Sequence, residues 1–385
     1  MPFFQLQAEL DERKAQGLLR SRRTLTTPQS PHIEVDGKPY LAFCSNDYLG
    51  LANYPQLIVA LQQGAQQWGV GAGAAHLVSG HFAPHHQLEQ QLAAFVTMPA
   101  ALLFSTGYMA NLGAVQALVG KGDTVFADKL NHASLNDAML LSRAETKRYR
   151  HGDMAQLAQL LQQAKSGRRL VITDAVFSMD GDIAPLRELL ALCEQHDAWL
   201  YVDDAHGFGV LGEQGRGALA HCGIVSQRII YMATLGKAAG VSGAFVAAEQ
   251  AVIDTLINHA HSYVYTTATP PALSVALSQS LQLIERGDGL RMHLQRLVAQ
   301  LRGGLSGFPW QLMPSDTAIQ PLLIGENRQA LRLSEGLRER GIWVAAILPP
   351  TVPQGTARLR LTLSAAHSEA DVDQLIVALH ELAQE

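Results

Sequence analysis

The 385-residue sequence predicts an α/β fold: a large, mostly parallel sheet of the seven-stranded type flanked by helices, then a smaller α+β C-terminal domain. Two patterns carry that expectation. Between residues 85 and 250, short apolar runs alternate with helical periodicities of about ten to fifteen residues, the mark of βαβ units sharing one parallel sheet. Over the last eighty residues or so, strand-like runs alternate with two helical periodicities. Apolar residues make up 48% of the chain and charged residues only 16%, below the usual ~25%, so a large core can be buried and general disorder is excluded.

Taken in order, residues 3–20 read as an amphipathic helix, followed by a polar, proline-containing stretch at 24–31. Asp36-Gly37 then marks a hairpin turn between apolar-polar runs at 33–35 and 40–43. Gln-rich helix faces occur at 56–67 and 156–163. Helical patterns at 85–96 and 108–119 lead to a strand at 123–127. A helix at 153–165 leads to a strand at 170–173, and a helix at 185–196 to a strand at 199–202, with a further strand at 228–232. Helices at 270–286 and 289–305 follow. Strands at 318–324, 342–346 and 357–362 then alternate with helices at 327–340 and 368–383. These runs divide the chain into an N-terminal segment, 1–45, that packs with the small domain, a large domain, 46–285, and a small domain, 286–385.

Composition also excludes function classes. Lys plus Arg number 29 and Asp plus Glu 34, a net charge of −5, which is no footprint for nucleic acid or an anionic membrane. The cluster Arg20, Arg22 and Arg23 is too short to alter that. Cys44, Cys193 and Cys222 lie far apart without a C-x-x-C pair, as expected of reduced thiols in a cytoplasmic protein. Glu9, Asp11 and Glu12 at the N-terminus argue against a signal peptide, and the apolar stretch 93–104 is interrupted by Thr97 and Pro99 and is too short to span a bilayer.

Ligands of open parallel sheets bind beyond the carboxyl ends of the strands, so the residues that follow each strand are informative. They are Asp128-Lys129-Leu130-Asn131-His132, Asp174-Ala175-Val176-Phe177-Ser178, Asp203-Asp204-Ala205-His206-Gly207 and Ala233-Thr234-Leu235-Gly236-Lys237. Lys237 lies in an uncharged, small-residue setting, where partial desolvation lowers an amine's pKa and suits Schiff-base formation. Asp203 ends an apolar strand. With a lysine downstream, its carboxylate fits pairing with a pyridine nitrogen and keeping it protonated, which pyridoxal 5'-phosphate chemistry requires. His206 falls on the same rim, and His132 is placed to cover the ring. Ser105-Thr106-Gly107-Tyr108 follows the apolar run 100–104 and opens a helix, offering free N–H groups to a phosphate, with the Thr234 hydroxyl as a further donor.

Other spellings carry less. Gly207-Phe208-Gly209-Val210-Leu211-Gly212 matches the dinucleotide fingerprint, yet a turn-rich loop follows and no acidic residue occurs between Glu213 and Glu249. Residues 71–76 are glycine-rich but lack the lysine of a P-loop. His81, His85 and His86 cluster without a metal-protease spelling or cysteine partners, and read as surface or acyl-channel residues rather than as a metal site. No G-x-S-x-G elbow is present.

Taken together, the tracts Ser45-Asn46-Asp47-Tyr48-Leu49-Gly50-Leu51, Ser105-Thr106-Gly107-Tyr108, Asn131-His132-Ala133-Ser134 and Phe177-Ser178-Met179-Asp180-Gly181-Asp182 make the chain resemble the α-oxoamine synthases. Asp203-Asp204-Ala205-His206-Gly207, Thr234-Leu235-Gly236-Lys237, Pro349-Pro350-Thr351-Val352-Pro353 and Gly355-Thr356-Ala357-Arg358-Leu359-Arg360 extend the likeness end to end. That family consists of pyridoxal-phosphate enzymes with the aspartate-aminotransferase fold. The resemblance implies a homodimer with shared active sites that condenses an amino acid with an acyl thioester and releases CO2. It implies that Lys237 holds the cofactor covalently and later acts as general base, that Asp203 pairs with the ring nitrogen, that His206 bonds the ring hydroxyl, and that His132 stacks on the ring. It places Gly107, Tyr108 and Thr234 at the phosphate, together with Thr266 or Thr267 contributed by the dimer mate, and Ser178 close to the ring. Arg360 is implied as the carboxylate clamp, with Asn46, Arg20 and Thr351 near the substrate, and His132 or His206 as the group polarising the thioester oxygen. The tracts at 349–353 and 355–360 favour the biotin-forming branch, with L-alanine and a pimeloyl thioester of CoA or acyl-carrier protein. Thr234-Leu235-Gly236-Lys237 resembles the glycine-using members as well, such as 5-aminolevulinate synthase and 2-amino-3-ketobutyrate ligase.

Overall fold

Residues 3–15, 18–164 and 167–385 are described in a computed structural model. Seven strands form the large sheet, in the spatial order Ala100–Phe104, Ala244–Ala248, Ile229–Thr234, Trp199–Asp203, Arg169–Asp174, Thr124–Asp128 and Glu145–Tyr149. Only Ala244–Ala248 runs against the others, pairing antiparallel with both of its neighbours. The right-hand side of the sheet is parallel throughout.

Both faces are covered, so the central strands are apolar on both sides rather than alternating with polar residues. Successive side chains point to opposite faces. Phe126, Val171, Leu200, Val202, Tyr231 and Phe245 therefore enter one core, while Val125, Ile172, Tyr201, Ile230, Met232 and Val246 enter the other. The first core is continuous with the C-terminal part of the chain, through residues such as Leu322, Leu359 and Leu375.

Three strands of the large sheet are not named as strands from the sequence: Ala100–Phe104 registers there only as an apolar run, and the other two escape for physical reasons. Glu145–Tyr149 is an edge strand of sequence ETKRY, too polar to register as an apolar run, and charged edges of this kind discourage strand addition. Ala244–Ala248 is short and alanine-rich, and follows its neighbour through a tight return rather than a helix.

The C-terminal region holds an antiparallel four-stranded sheet, ordered Gln311–Leu312, Ile319–Gly325, Ala357–Thr362 and Ala345–Ile347. The single strand expected at 342–346 is in fact two. Ile342–Trp343 joins the N-terminal hairpin, parallel to Lys38–Ala42, and Ala345–Ile347 joins the four-stranded sheet. The hairpin itself forms as expected: His32–Val35 pairs with Lys38–Ala42 across Asp36 and Gly37, both at positive φ. The N-terminal helix is shorter than expected, Phe4–Ala15; residues 16 and 17 lie outside the described residues, and 18–20 carry no regular structure. The helix expected at 153–165 is Met154–Gln162, capped by the Asp153 carboxylate; residue 165 lies outside the described residues. The dinucleotide-like spelling at 207–212 opens a loop, not a long helix. Gly212, Gly215 and Gly217 turn at positive φ, and the loop closes where the amide N–H of Ala218 donates to the buried Asp204 carboxylate.

Candidate active site

The strands Arg169–Asp174, Trp199–Asp203 and Ile229–Thr234 end on one rim, and their last residues converge. Asp174 and Asp203 are register partners on adjacent strands, and Asp203 is in turn paired with Met232 on the next. Beyond Thr234 the chain makes a tight loop carrying Lys237 and returns as Ala244, the register partner of Thr234. These residues enclose a cavity of about 190 Å³ that Lys237, Asp203, His206, His132, Gly107 and Thr234 all line.

The Asp203 carboxylate is buried at 4% exposure and held on both oxygens. Asn111 Nδ2 donates to Oδ2 at 2.7 Å, and the Ala205 N–H donates to Oδ1 at 3.0 Å. Asn111 is fixed in turn: the Tyr201 hydroxyl donates to its Oδ1 at 2.9 Å, and its Nδ2 also reaches Ser134 Oγ at 2.8 Å. Beside it, burial and the Asp203 charge keep the Asp174 carboxyl well above the usual carboxylate range. Asp174 accepts the His132 backbone N–H at 2.6 Å and so places His132 at the cavity edge.

Lys237 Nζ lies 2.7 Å from His206 Nε2, and His206 Nδ1 lies 2.5 Å from the Tyr48 hydroxyl. Tyr48 has a single hydroxyl hydrogen, which it donates to Asn46 Oδ1 at 3.2 Å. Its lone pair then accepts Nδ1–H of a neutral His206, leaving Nε2 to accept from Lys237. Neutral histidine is the form the site favours, because burial and the neighbouring Lys237 charge push the His206 pKa well below its ordinary value. Lys237 itself is lowered to about 8, mainly by burial, with Asp203 and Asp174 opposing the shift and Arg360 assisting it. Gly240 sets the loop: it has φ +70°, and a Cβ there would lie 2.5 Å from the Leu51 carbonyl carbon. The lysine loop thus rests directly on the turn containing Asn46 and Tyr48.

Arg358 and Arg360 project from one strand at i, i+2, the same face. Arg358 is neutralised by Asp180 at 2.7 Å. Among the described residues Arg360 makes no ion pair; it donates to the Ser178 carbonyl at 2.6 Å and to Asn46 Oδ1 at 3.2 and 3.3 Å. A buried guanidinium without a carboxylate partner can receive one.

At the other end, the Thr106 hydroxyl caps the helix Gly107–Leu118 by accepting the Met109 N–H, and the Gly107 and Tyr108 N–H groups have no intrahelical acceptor. Thr234 Oγ1 donates to the Gly243 carbonyl at 3.0 Å, so this hydroxyl also holds the lysine loop closed. The Tyr108 hydroxyl bonds Asp137. Thr266 and Thr267 follow the short helix His261–Val264 and are not among the residues lining this cavity. Arg20 and Thr351 are brought together from opposite ends of the chain, the guanidinium donating to the threonine hydroxyl at 3.2 Å, at an exposed position.

Asn111, Ser134, Tyr48 and Asp174 have positions in the site that the sequence reading assigned to none of them. Asn111 leaves a faint signal, an amide one helical turn after Gly107 in a mostly apolar helix.

The profile of the family described as aminotransferase class I and II matches residues 38–379. The chain belongs to that family. Among its similar members, a Nitrosomonas europaea protein named 8-amino-7-oxononanoate synthase is 61% identical over 386 residues, spanning 98% of this chain and 99% of that protein. A solved 8-amino-7-oxononanoate synthase from Francisella tularensis is 32% identical with a TM-score of 0.78, over 90% of this chain and 97% of that one. Serine palmitoyltransferase from S. paucimobilis, solved with a bound PLP–myriocin aldimine, is 28% identical with a TM-score of 0.93, over 100% and 98%. The class I and II aminotransferase fold accounts for the large sheet with one antiparallel strand and for the rim on which Lys237 stands.

Proposed function

We propose that the chain is a pyridoxal 5'-phosphate-dependent C-acyltransferase of biotin biosynthesis, an 8-amino-7-oxononanoate synthase. It joins L-alanine to the pimeloyl group of a CoA or acyl-carrier-protein thioester and releases CO2 and free thiol. The observation that carries this reading is a half-buried amine, Lys237, lining the same small cavity as a buried, doubly held carboxylate, Asp203. Near-full-length identity to synthases of that name supports the choice of substrates.

The residues fit the cofactor in kind and order. An amine suits its aldehyde, a carboxylate its ring nitrogen, a helix N-terminus its phosphate, with the Thr234 hydroxyl able to join only by turning from the Gly243 carbonyl, and a neutral imidazole its ring hydroxyl. When bound, pyridoxal phosphate supplies an aldehyde that takes up amines and a ring that accepts an electron pair.

Asp203 keeps a proton on the ring nitrogen, and the Asn111–Tyr201 pair keeps Asp203 in place. Arg360 binds the carboxylate of alanine and so fixes which bond at the α-carbon faces Lys237. Nζ of Lys237 removes the α-proton and later returns one, a role for which a pKa near 8 is well matched at neutral pH. Of the two histidines, His206 has both nitrogens engaged, whereas His132 uses Nδ1 toward Ser134 and keeps Nε2 for the thioester oxygen. Asn46 holds the Arg360 guanidinium, and the Arg20–Thr351 pair and Ser178 lie at the substrate side.

The same reading includes a cytoplasmic homodimer in which Thr266 or Thr267 completes the neighbouring phosphate site. It also includes the division into 1–45, 46–285 and 286–385. Among the described residues no helix is long and apolar enough to cross a membrane.

Borohydride reduction of the purified holoenzyme, followed by peptide mass analysis, tests the cofactor assignment. The expected result is a reduced pyridoxyl adduct on Lys237 alone, absent from Lys237→Ala; an adduct that persists in that variant overturns it.

A further inference from the structure

Residues 76–89 form a histidine cluster that the catalytic reading leaves unused. It comprises the turn His76–Gly80, His81, and the first two turns of the helix Ala83–Phe95 with His85, His86 and Glu89. His81 stands at its centre, with the rings of His76, His85 and His86 at 5.2, 5.8 and 6.1 Å.

Hydrogen bonding separates ligands from supports. His85 is fully engaged: Nδ1 accepts the Phe82 N–H at 3.0 Å and Nε2 donates to the Thr269 carbonyl at 2.8 Å. It is a structural cap. His76 stacks on Tyr263 at 4.9 Å, and its Nδ1 meets His81 Nδ1 at 3.0 Å. With the shared hydrogen on His81, that contact fixes the His81 tautomer whose Nε2 lone pair faces outward, the arrangement in which metal-bound histidines use their second nitrogen.

His81 Nε2 then faces Glu89 Oε2 across 4.0 Å, too far for a hydrogen bond. His86, one turn before Glu89 on the same helix, brings a third ligand atom within 4.8 Å of both. Two ligand atoms on a tetrahedral zinc stand about 3.3 Å apart, so small side-chain rotations close the set. Glu89 is anchored through its other oxygen by the Leu103 N–H at 3.0 Å, and it is 9% exposed.

We propose that His81, His86 and Glu89 bind one divalent transition metal ion of the zinc class, with His76 as the outer support that orients His81. The ion takes imidazole nitrogens and one carboxylate oxygen, the ligand set zinc prefers, and leaves a fourth position for water. Nothing in this site depends on the cofactor assignment.

Isothermal titration of the holoenzyme with zinc chloride tests it, with the cofactor's visible absorption followed in parallel. One zinc per chain is expected, without change in that absorption. His81→Ala and His86→Ala should each weaken binding at least tenfold. His76→Ala should weaken it by about 10–100-fold, as removal of an outer support does. His86 is exposed and bonds only Gln90, so its variant remains folded, as a thermal melt without metal will verify. The cobalt(II) spectrum of the substituted protein should report nitrogen and oxygen ligands. No saturable binding, binding unchanged in both His81→Ala and His86→Ala, or a thiolate signature in the cobalt spectrum overturns the proposal.

Discussion

Asn111 Nδ2 donates to Asp203 Oδ2 at 2.7 Å, while the Tyr201 hydroxyl holds Asn111 from its other end at 2.9 Å. All three residues are buried, so none of these bonds is readily exchanged for water. Asn111→Ala removes a hydrogen bond to a charged group and strands the Tyr201 hydroxyl, a loss of about 1.5–3 kcal/mol if expressed at the cofactor. The dissociation constant for pyridoxal phosphate, measured by its visible absorption, should rise by about tenfold or more. An unchanged constant would show that Asp203 needs no such support.

The Lys237 amine titrates at about 8 instead of 10.5 because burial penalises its charge. Between those pH values the folded chain binds fewer protons than the unfolded one, so this group makes the cofactor-free protein more stable as pH rises across that window. The rate at which added pyridoxal phosphate reacts with the cofactor-free protein should climb with pH through about 8 and then level. Asp203 opposes the shift and Arg360 assists it. Asp203→Asn should therefore move the midpoint of the rate profile down, and Arg360→Ala should move it up. Displacements in the reverse directions would refute the assigned electrostatics.

Gly240 is where the lysine loop touches the turn at 46–51. Gly240→Ala places a left-handed alanine, itself about 1–2 kcal/mol unfavourable, with its Cβ 2.5 Å from backbone. The variant should melt at a lower temperature, and borohydride treatment of its holoenzyme should trap less reduced pyridoxyl adduct on Lys237. A variant matching the parent in both would mean that the loop adapts freely.

Much of this was legible along the chain because parallel-sheet strands place chemistry immediately after themselves. Asp174, Asp203 and Thr234 end strands, and Lys237 sits three residues beyond the last. Spacing says less about partners far apart in sequence. The contacts of Asn111 with Asp203, Tyr48 with His206 and Arg20 with Thr351 arise from packing between separate elements. Ala244–Ala248 escapes notice because a short apolar run without alternation looks alike in a strand or a helix. The division of the expected 342–346 strand at Val344 reflects two neighbours competing for one short run, the N-terminal hairpin and the strand Ala357–Thr362.

The substrate pair separates this reading from its glycine-using relatives most directly. The purified holoenzyme is offered L-alanine with pimeloyl-CoA, and in parallel glycine with acetyl-CoA or succinyl-CoA, and the products are identified by mass. Alanine with the pimeloyl thioester should turn over fastest and give 8-amino-7-oxononanoate with release of CO2. Faster turnover of a glycine pair, or no condensation product from alanine, would contradict it.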